Sequence, residues 1–253
     1  MGMSRLLRVS VWWASSLPSL DPRFDPRFAL DESERVRCSR YRQPADRARF
    51  AVGRLLARGA ISAELGCAPR DIHIALRCEV CGGDHGKPRV AGADAVALSI
   101  AHAHERVVVV VARDCEVGVD VERIGPIEEL AERDTGVLHD EELAALEATA
   151  PPERAAAFLR YWTRKEALLK ATGEGLTVPL DSLRVTSPDA APAILDGPPS
   201  LPPDRVWMRD LDAGPRYKAS LAVLLPCAES ELRVDVAERH VTSDELAAWA
   251  VRA

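Results

Sequence analysis

Aromatic side chains are scarce in this sequence, at 5% of 253 residues, and long apolar runs are missing altogether. The longest valine stretch, Val107 to Val111, falls far short of the roughly 20 apolar residues that cross a bilayer, so no membrane span is expected. The opening MGMSRLLRVSVWW has no extended apolar region followed by a small-residue cleavage site. Leu6 also stands where a myristoylation pattern wants Ser or Thr. Positive charge is in deficit, with 33 Lys and Arg against 39 Asp and Glu and a formal net charge of -6. A chain without a dominant basic surface lacks the phosphate-neutralising term of non-specific nucleic-acid binding. The six cysteines are irregularly spaced. That excludes a disulfide framework of the secreted kind and makes the cytoplasm the expected compartment.

What is present is ordinary globular composition, 47% hydrophobic and 28% charged, enough for one large domain or two small ones. Alternation over residues 5–13 predicts a strand. Two DPRF copies, Asp21 to Phe24 and Asp25 to Phe28, mark a turn-rich local duplication. The spacing of Phe50, Gly53, Leu56 and Ala60 predicts a helix over about 46–63, stopped by Gly66. Strands are expected at 71–76, 96–100, 107–112 and 117–121, the last two joined as a hairpin through the turn at 113–116. In the second half a helix is expected over 140–149 with Asp140 as its N-cap. A long helix follows over 153–172, stopped by Gly173 and Gly175. The Pro-rich stretch 187–204 reads as an exposed loop. Strands at 205–211, 217–225 and 231–236 and a terminal helix capped near Ser243 complete the chain. The pattern is α+β in two halves, 1–116 and 117–253, each a long helix with antiparallel strands.

The sharpest chemical feature is Val117-Gly-Val-Asp-Val-Glu122. On a strand, Val117, Val119 and Val121 face one side, and Gly118, Asp120 and Glu122 share the other. The two acids then lie about 6.6 Å apart along the strand, close enough to reach one hard cation, with Gly118 leaving room beside them. The plain alternative is a half-exposed strand with a solvated acidic face. The second feature is Trp162-Thr-Arg-Lys-Glu-Ala-Leu-Leu-Lys170. There Glu166 interrupts the apolar stripe of Phe158, Trp162 and Leu169, an unfavourable place for a carboxylate unless it is paired or binds metal. Its alternative is a boundary residue in an intrahelical ion pair. Three carboxylates flanked by Lys165 and Lys170 suit Mg²⁺, which takes one or two carboxylates and is completed by water and substrate phosphate. A diphosphate substrate follows from that reading.

These residues resemble a known family. Gly118-Val-Asp-Val-Glu122, then Trp162-x-x-Lys165-Glu166-Ala167-x-x-Lys170 and Gly173-x-Gly175-Leu176, look like the signature of Sfp-type 4′-phosphopantetheinyl transferases in their WxxKEA subgroup. That subgroup serves polyketide and non-ribosomal peptide synthetases. The resemblance extends to Gly86-Lys-Pro88, Ser99-Ile-Ala-His102 and Asp46-x-x-Arg49. It implies a pseudo-dimer of two α+β halves with the active site between them. It implies Mg²⁺ held by Asp120, Glu122 and Glu166, and coenzyme A as the substrate. Lys87, Lys165 and Lys170 would meet coenzyme A phosphates, His102 the nucleotide phosphate region and Arg49 the 3′-phosphate. Glu166, or a water it orients, would take the proton of the carrier-protein serine that attacks the β-phosphate, releasing 3′,5′-ADP. The family's Ser-His is Ala101-His102 here, which removes one hydrogen bond to coenzyme A, worth on the order of 1 kcal/mol.

Eight arginines crowd positions 35, 37, 40, 42, 47, 49, 54 and 58. They read either as a patch that binds phosphates and steers acidic carrier proteins or as a solvated helix face. Cys78-x-x-Cys81 with His85 has metal-ligand spacing but no evident fourth ligand, so a turn with two buried thiols competes with zinc. Other functions stay open at this point: a different Mg²⁺-dependent diphosphate-cleaving transferase, or a non-catalytic protein that binds coenzyme A or a carrier. No Gly-rich phosphate loop favours the former. Two halves of one chain suffice to build the site, so a monomer is expected.

Overall fold

The computed structural model describes residues 5–16, 30–76, 82–83, 86–125, 136–228 and 232–252. The DPRF copies and the Cys78, Cys81 and His85 group lie outside them. In chain order the strands are β1 (Arg5–Ser15), β2 (Ile74–Leu76), β3 (Pro88–Val90), β4 (Val96–Ala103), β5 (Arg106–Arg113), β6 (Glu116–Arg123), β7 (Arg184–Val185), β8 (Ile194–Asp196), β9 (Val206–Leu211), β10 (Tyr217–Leu224) and β11 (Leu232–His240). The helices are α1 (Glu32–Arg40), α2 (Pro44–Leu65), α3 (Asp140–Ala148), α4 (Pro151–Thr172) and α5 (Ser243–Arg252).

Two sheets stack face to face, and one long helix covers the outside of each. The first sheet runs β11-β1-β5-β4-β3-β2 and the second β6-β10-β9. Valine spacing builds the sandwich. Val108 and Val110 of β5 meet Val117, Val119 and Val121 of β6 in the core between the sheets. Val107, Val109 and Val111 point the other way, onto Val52, Leu55 and Leu56 of α2. A valine run buried on both faces is what a central strand between two layers demands. The long helices have matching ends. Each is 22 residues, opens with Pro, whose missing N–H costs nothing in a first turn, and closes on a left-handed Gly, Gly66 or Gly173.

Several local expectations change. β5 and β6 are not a hairpin: β5 pairs with β1 and β4, and β6 pairs with β10. The turn at 113–116, with Asp114 at φ +59, carries the chain from one sheet to the other. The hairpin is β4–β5, turning at His104 (φ +50). The N-cap of α3 is His139, not Asp140; its Nδ1 accepts from the Glu141 N–H at 3.3 Å. The division at 116/117 is also not how the layers divide. β11 pairs in parallel with β1, and α5 packs on α2, so residues 232–252 complete the first half. Each half is a long helix on a sheet, as expected, but the halves are unequal. The first sheet has six strands, with β1–β11 a parallel pair in it, and the second has three.

Candidate active site

The cleft opens where α2 and β4 of the first half meet β6 and α4 of the second, and has a volume of about 390 Å³. Asp120 and Glu122 line it from β6, Glu166 and Lys170 from α4, His102 from β4 and Arg49 from α2. Six of the eight residues expected from the sequence therefore meet in one place.

Gly118 fixes how β6 and α4 meet. A Cβ there would lie 2.0 Å from the Ala167 carbonyl oxygen and 2.4 Å from the Ala171 nitrogen, so α4 backbone rests directly on the strand. The room beside the acids, expected to serve a cation, is filled by the helix. With α4 held this close, Glu166 and Lys170, one turn apart on one face, look onto Asp120 and Glu122. Lys170 Nζ lies 2.6 Å from Asp120 Oδ1. Desolvation works against the Lys170 charge, but Asp120, with Glu166 and Glu122 nearby, prevails and lifts its pKa above the ordinary lysine value. Burial pushes the Glu166 carboxyl above its ordinary value; Lys170 opposes the shift and the Asp120 charge adds to it. The edge of β6 is stitched to the first sheet by Ser99, whose Oγ accepts from the Val119 N–H at 3.0 Å.

His102 stands exposed at the cleft rim. Partial desolvation by the neighbouring walls still lowers its imidazole pKa, and the cations Arg49 and Lys170 add to the effect. Arg49 is ion-paired with Asp46 and donates to the His104 carbonyl at 3.3 Å. Ala101 lines the cleft where the resemblance leads one to expect a hydroxyl.

Two lysines do not join. Lys165 is fully buried, ion-paired with Glu142, and donates to the carbonyls of Val137 at 2.8 Å and Leu180 at 3.1 Å. Adjacent helix positions point about 100° apart, so the neighbour of Glu166 faces the protein interior. Its work is to fasten α3 and the 180 turn onto α4. Lys87 lies 2.5 Å from Glu116 and donates to the Ala171 carbonyl at 2.6 Å, with its side chain 6% exposed. It ties the first half to the end of α4, while its neighbours Gly86 and Pro88 line the cleft.

The arginine cluster divides as well. Arg37, Arg49 and Arg54 line the cleft, whereas Arg58 is buried against Glu34 at 2.8 Å. Beside them stand Tyr41 and Phe50, ring centroids 5.6 Å apart, with the Arg37 and Arg54 guanidinium groups 5.9 and 5.4 Å from the Phe50 centroid. Sequence reasoning did not place this aromatic shelf; Phe50, one turn before Gly53 on the helix stripe, was its available signal.

The residues fit a hard divalent cation. Asp120 Oδ2 is buried with no hydrogen-bond partner among the described residues, an unused acceptor beside two further carboxylates. The expected three-ligand grip is not preassembled: among the described residues no three His, Cys, Asp or Glu side chains gather into a metal cage. Asp120 is turned onto Lys170, and carboxylates at close quarters repel. A site completed by phosphate and water needs only one or two protein carboxylates.

Comparison with known proteins gives a concordant result. The profile of the 4′-phosphopantetheinyl transferase superfamily matches residues 116–218, the segment holding β6 and α4. A 4′-phosphopantetheinyl transferase of Bacillus subtilis is 26% identical over 199 residues, covering 78% of this chain and 84% of that protein. One from Bacillus pumilus is 29% identical over 211 residues, covering 83% and 85%. The Sfp protein of Bacillus subtilis is 26% identical over 199 residues, covering 78% and 83%. With its acids, its crossing helix and these relatives aligned, the chain belongs to the Sfp-type members of the 4′-phosphopantetheinyl transferase superfamily.

Proposed function

We propose that the protein moves the 4′-phosphopantetheine arm of coenzyme A onto a serine of an apo acyl or peptidyl carrier protein, releasing 3′,5′-ADP. The observation that carries this reading is the meeting of Asp120, Glu122, Glu166 and Lys170 with His102 and Arg49 in one cleft between the halves. The names of the Bacillus relatives support it.

Asp120, Glu122 and Glu166 would hold Mg²⁺, which when bound supplies Lewis acidity at the diphosphate and offsets its charge. Lys170, kept protonated by the surrounding acids, neutralises phosphate oxygens from the other side. Glu166, its pKa raised by burial, is suited to take the serine proton directly or through a water. The serine oxygen then bonds to the β-phosphorus as the bond to the nucleotide phosphate breaks. His102 and Arg49 orient the nucleotide end. We assign Lys87 and Lys165 to holding the cleft walls in register. Carriers of polyketide or non-ribosomal peptide synthesis are the proposed partners, from the WxxKEA form of the helix. A monomer acting in the cytoplasm is the proposed state, since one chain supplies every residue of the cleft.

The test is incubation with coenzyme A, Mg²⁺ and a panel of apo-carriers, read by intact-protein mass. A carrier heavier by one phosphopantetheine, lost on chelation, is the expected result. Coenzyme A binding with no mass change in any carrier would refute the enzyme and leave a binding protein.

A further inference from the structure

Arg54 is an unusual wall residue. Its side chain is 6% exposed, yet it lines the cleft. Its Nε lies 3.4 Å from Glu34 Oε1, an ion-pair separation, and its Nη1 has no hydrogen-bond partner among the described residues. Burial lowers the guanidinium pKa, and Glu34 is the largest influence opposing the shift. A desolvated cation with unused donors is costly unless an anion meets it.

Glu34 is 3% exposed and divided between Arg54 and Arg58. Arg58 is further used by the Ile72 carbonyl at 3.3 Å and does not line the cleft. Arg49, the residue expected to meet the 3′-phosphate, already has Asp46 and the His104 carbonyl. Arg54 thus holds the less committed guanidinium on this wall, stacked on Phe50 and far along the fold from the acids of β6.

We propose that Arg54 is a specificity-determining residue that reads a phosphate monoester on the nucleotide end of the substrate, and that Glu34 is the positioning residue that seats it. The inference rests on the coenzyme A reading of the cleft. The ligand chemistry is a phosphate dianion on a ribose, remote from the diphosphate that the acids and Lys170 serve. Phe50 and Tyr41 provide the flat surface beside it.

The experiment is calorimetric binding of adenosine 3′,5′-bisphosphate, 3′-AMP and 5′-AMP to the full chain, without any carrier. Wild type should bind the bisphosphate about tenfold or more tighter than 5′-AMP, and R54Q should bring that ratio within about twofold. E34Q should lower the ratio in the same direction. R58Q, which alters Glu34's other partner, should leave it. If R54Q does not fold, as judged by circular dichroism, R54K decides. Charge without the planar fork should lose most of the preference for the 3′-phosphate. A folded R54Q or R54K that keeps the wild-type ratio overturns the proposal, as does an equal fall in R58Q. Failure of wild type to modify any carrier, with an Arg54-dependent bisphosphate preference intact, would sink the transferase reading alone.

Discussion

Substituting Gly118 with Ala should disable the enzyme through geometry, since it removes no chemical group. The new Cβ would sit 2.0 Å from the Ala167 carbonyl oxygen and 2.4 Å from the Ala171 nitrogen. Both atoms are helix backbone, so no side chain can swing aside. Restoring a contact of about 3.4 Å moves α4 off β6 by roughly 1 Å or more, with overpacking costing about 1–3 kcal/mol. For a chain of this size that is a fall in melting temperature of about 2–10 °C. The same shift draws Glu166 and Lys170 away from Asp120 and Glu122 and breaks the 2.6 Å Lys170–Asp120 pair. Misplacement by about 1 Å costs on the order of 100-fold in rate. Carrier modification under saturating coenzyme A, followed by mass, measures the rate, and calorimetry measures the melt. G118A with near-normal turnover would refute the claim that helix–strand contact sets the spacing of the acids.

Other outcomes follow from the same coordinates. K165M should lower stability by about 3–5 kcal/mol, because Glu142 is left charged and unpaired in the interior, and should leave the Km for coenzyme A within about threefold; a large Km effect with an unchanged melt would return Lys165 to the cleft. The raised Glu166 pKa means that its ionised form is disfavoured by folding, so this residue's contribution is fullest in acid and is lost as pH rises through the raised value. E166Q should therefore melt at or above the wild-type temperature at neutral pH, the difference closing below pH 4.5, while transfer is abolished; a lower melt at neutral pH would contradict the burial argument. D120A should abolish transfer in a folded protein, and wild-type activity there would remove Asp120 from the chemistry. W249A should cost up to about 3 kcal/mol in urea unfolding, since its ring fills the space above Gly59 where a Cβ would lie 2.4 Å away; an unchanged midpoint would show that α5 contributes nothing to the first half.

Period-two alternation made the β6 face legible, because a strand between two layers must sort its residues strictly. Lys170 was legible too, four residues from Glu166 and so on its face. Lys165 was misread because nearness in sequence was taken for nearness in space; one step along a helix turns a side chain about 100° away. The false hairpin has a related cause. The turn at 113–116 looks the same whether the chain folds back on its own sheet or crosses to another. That choice was settled by β10, about a hundred residues downstream, which claims the edge of β6 through pairs such as Asp120 with Ser220. The parallel return of β11 to β1 leaves no local trace at all, since it joins residues 5–13 to 232–240. The arginine run shows the limit of composition in another way. The same side chain serves as a buried clamp at Arg58 and as cleft wall at Arg54, one turn apart, and a single glutamate from α1 engages both. Site chemistry carried by one strand or one helix face was therefore readable, whereas every role fixed by a partner from a distant segment had to await the fold.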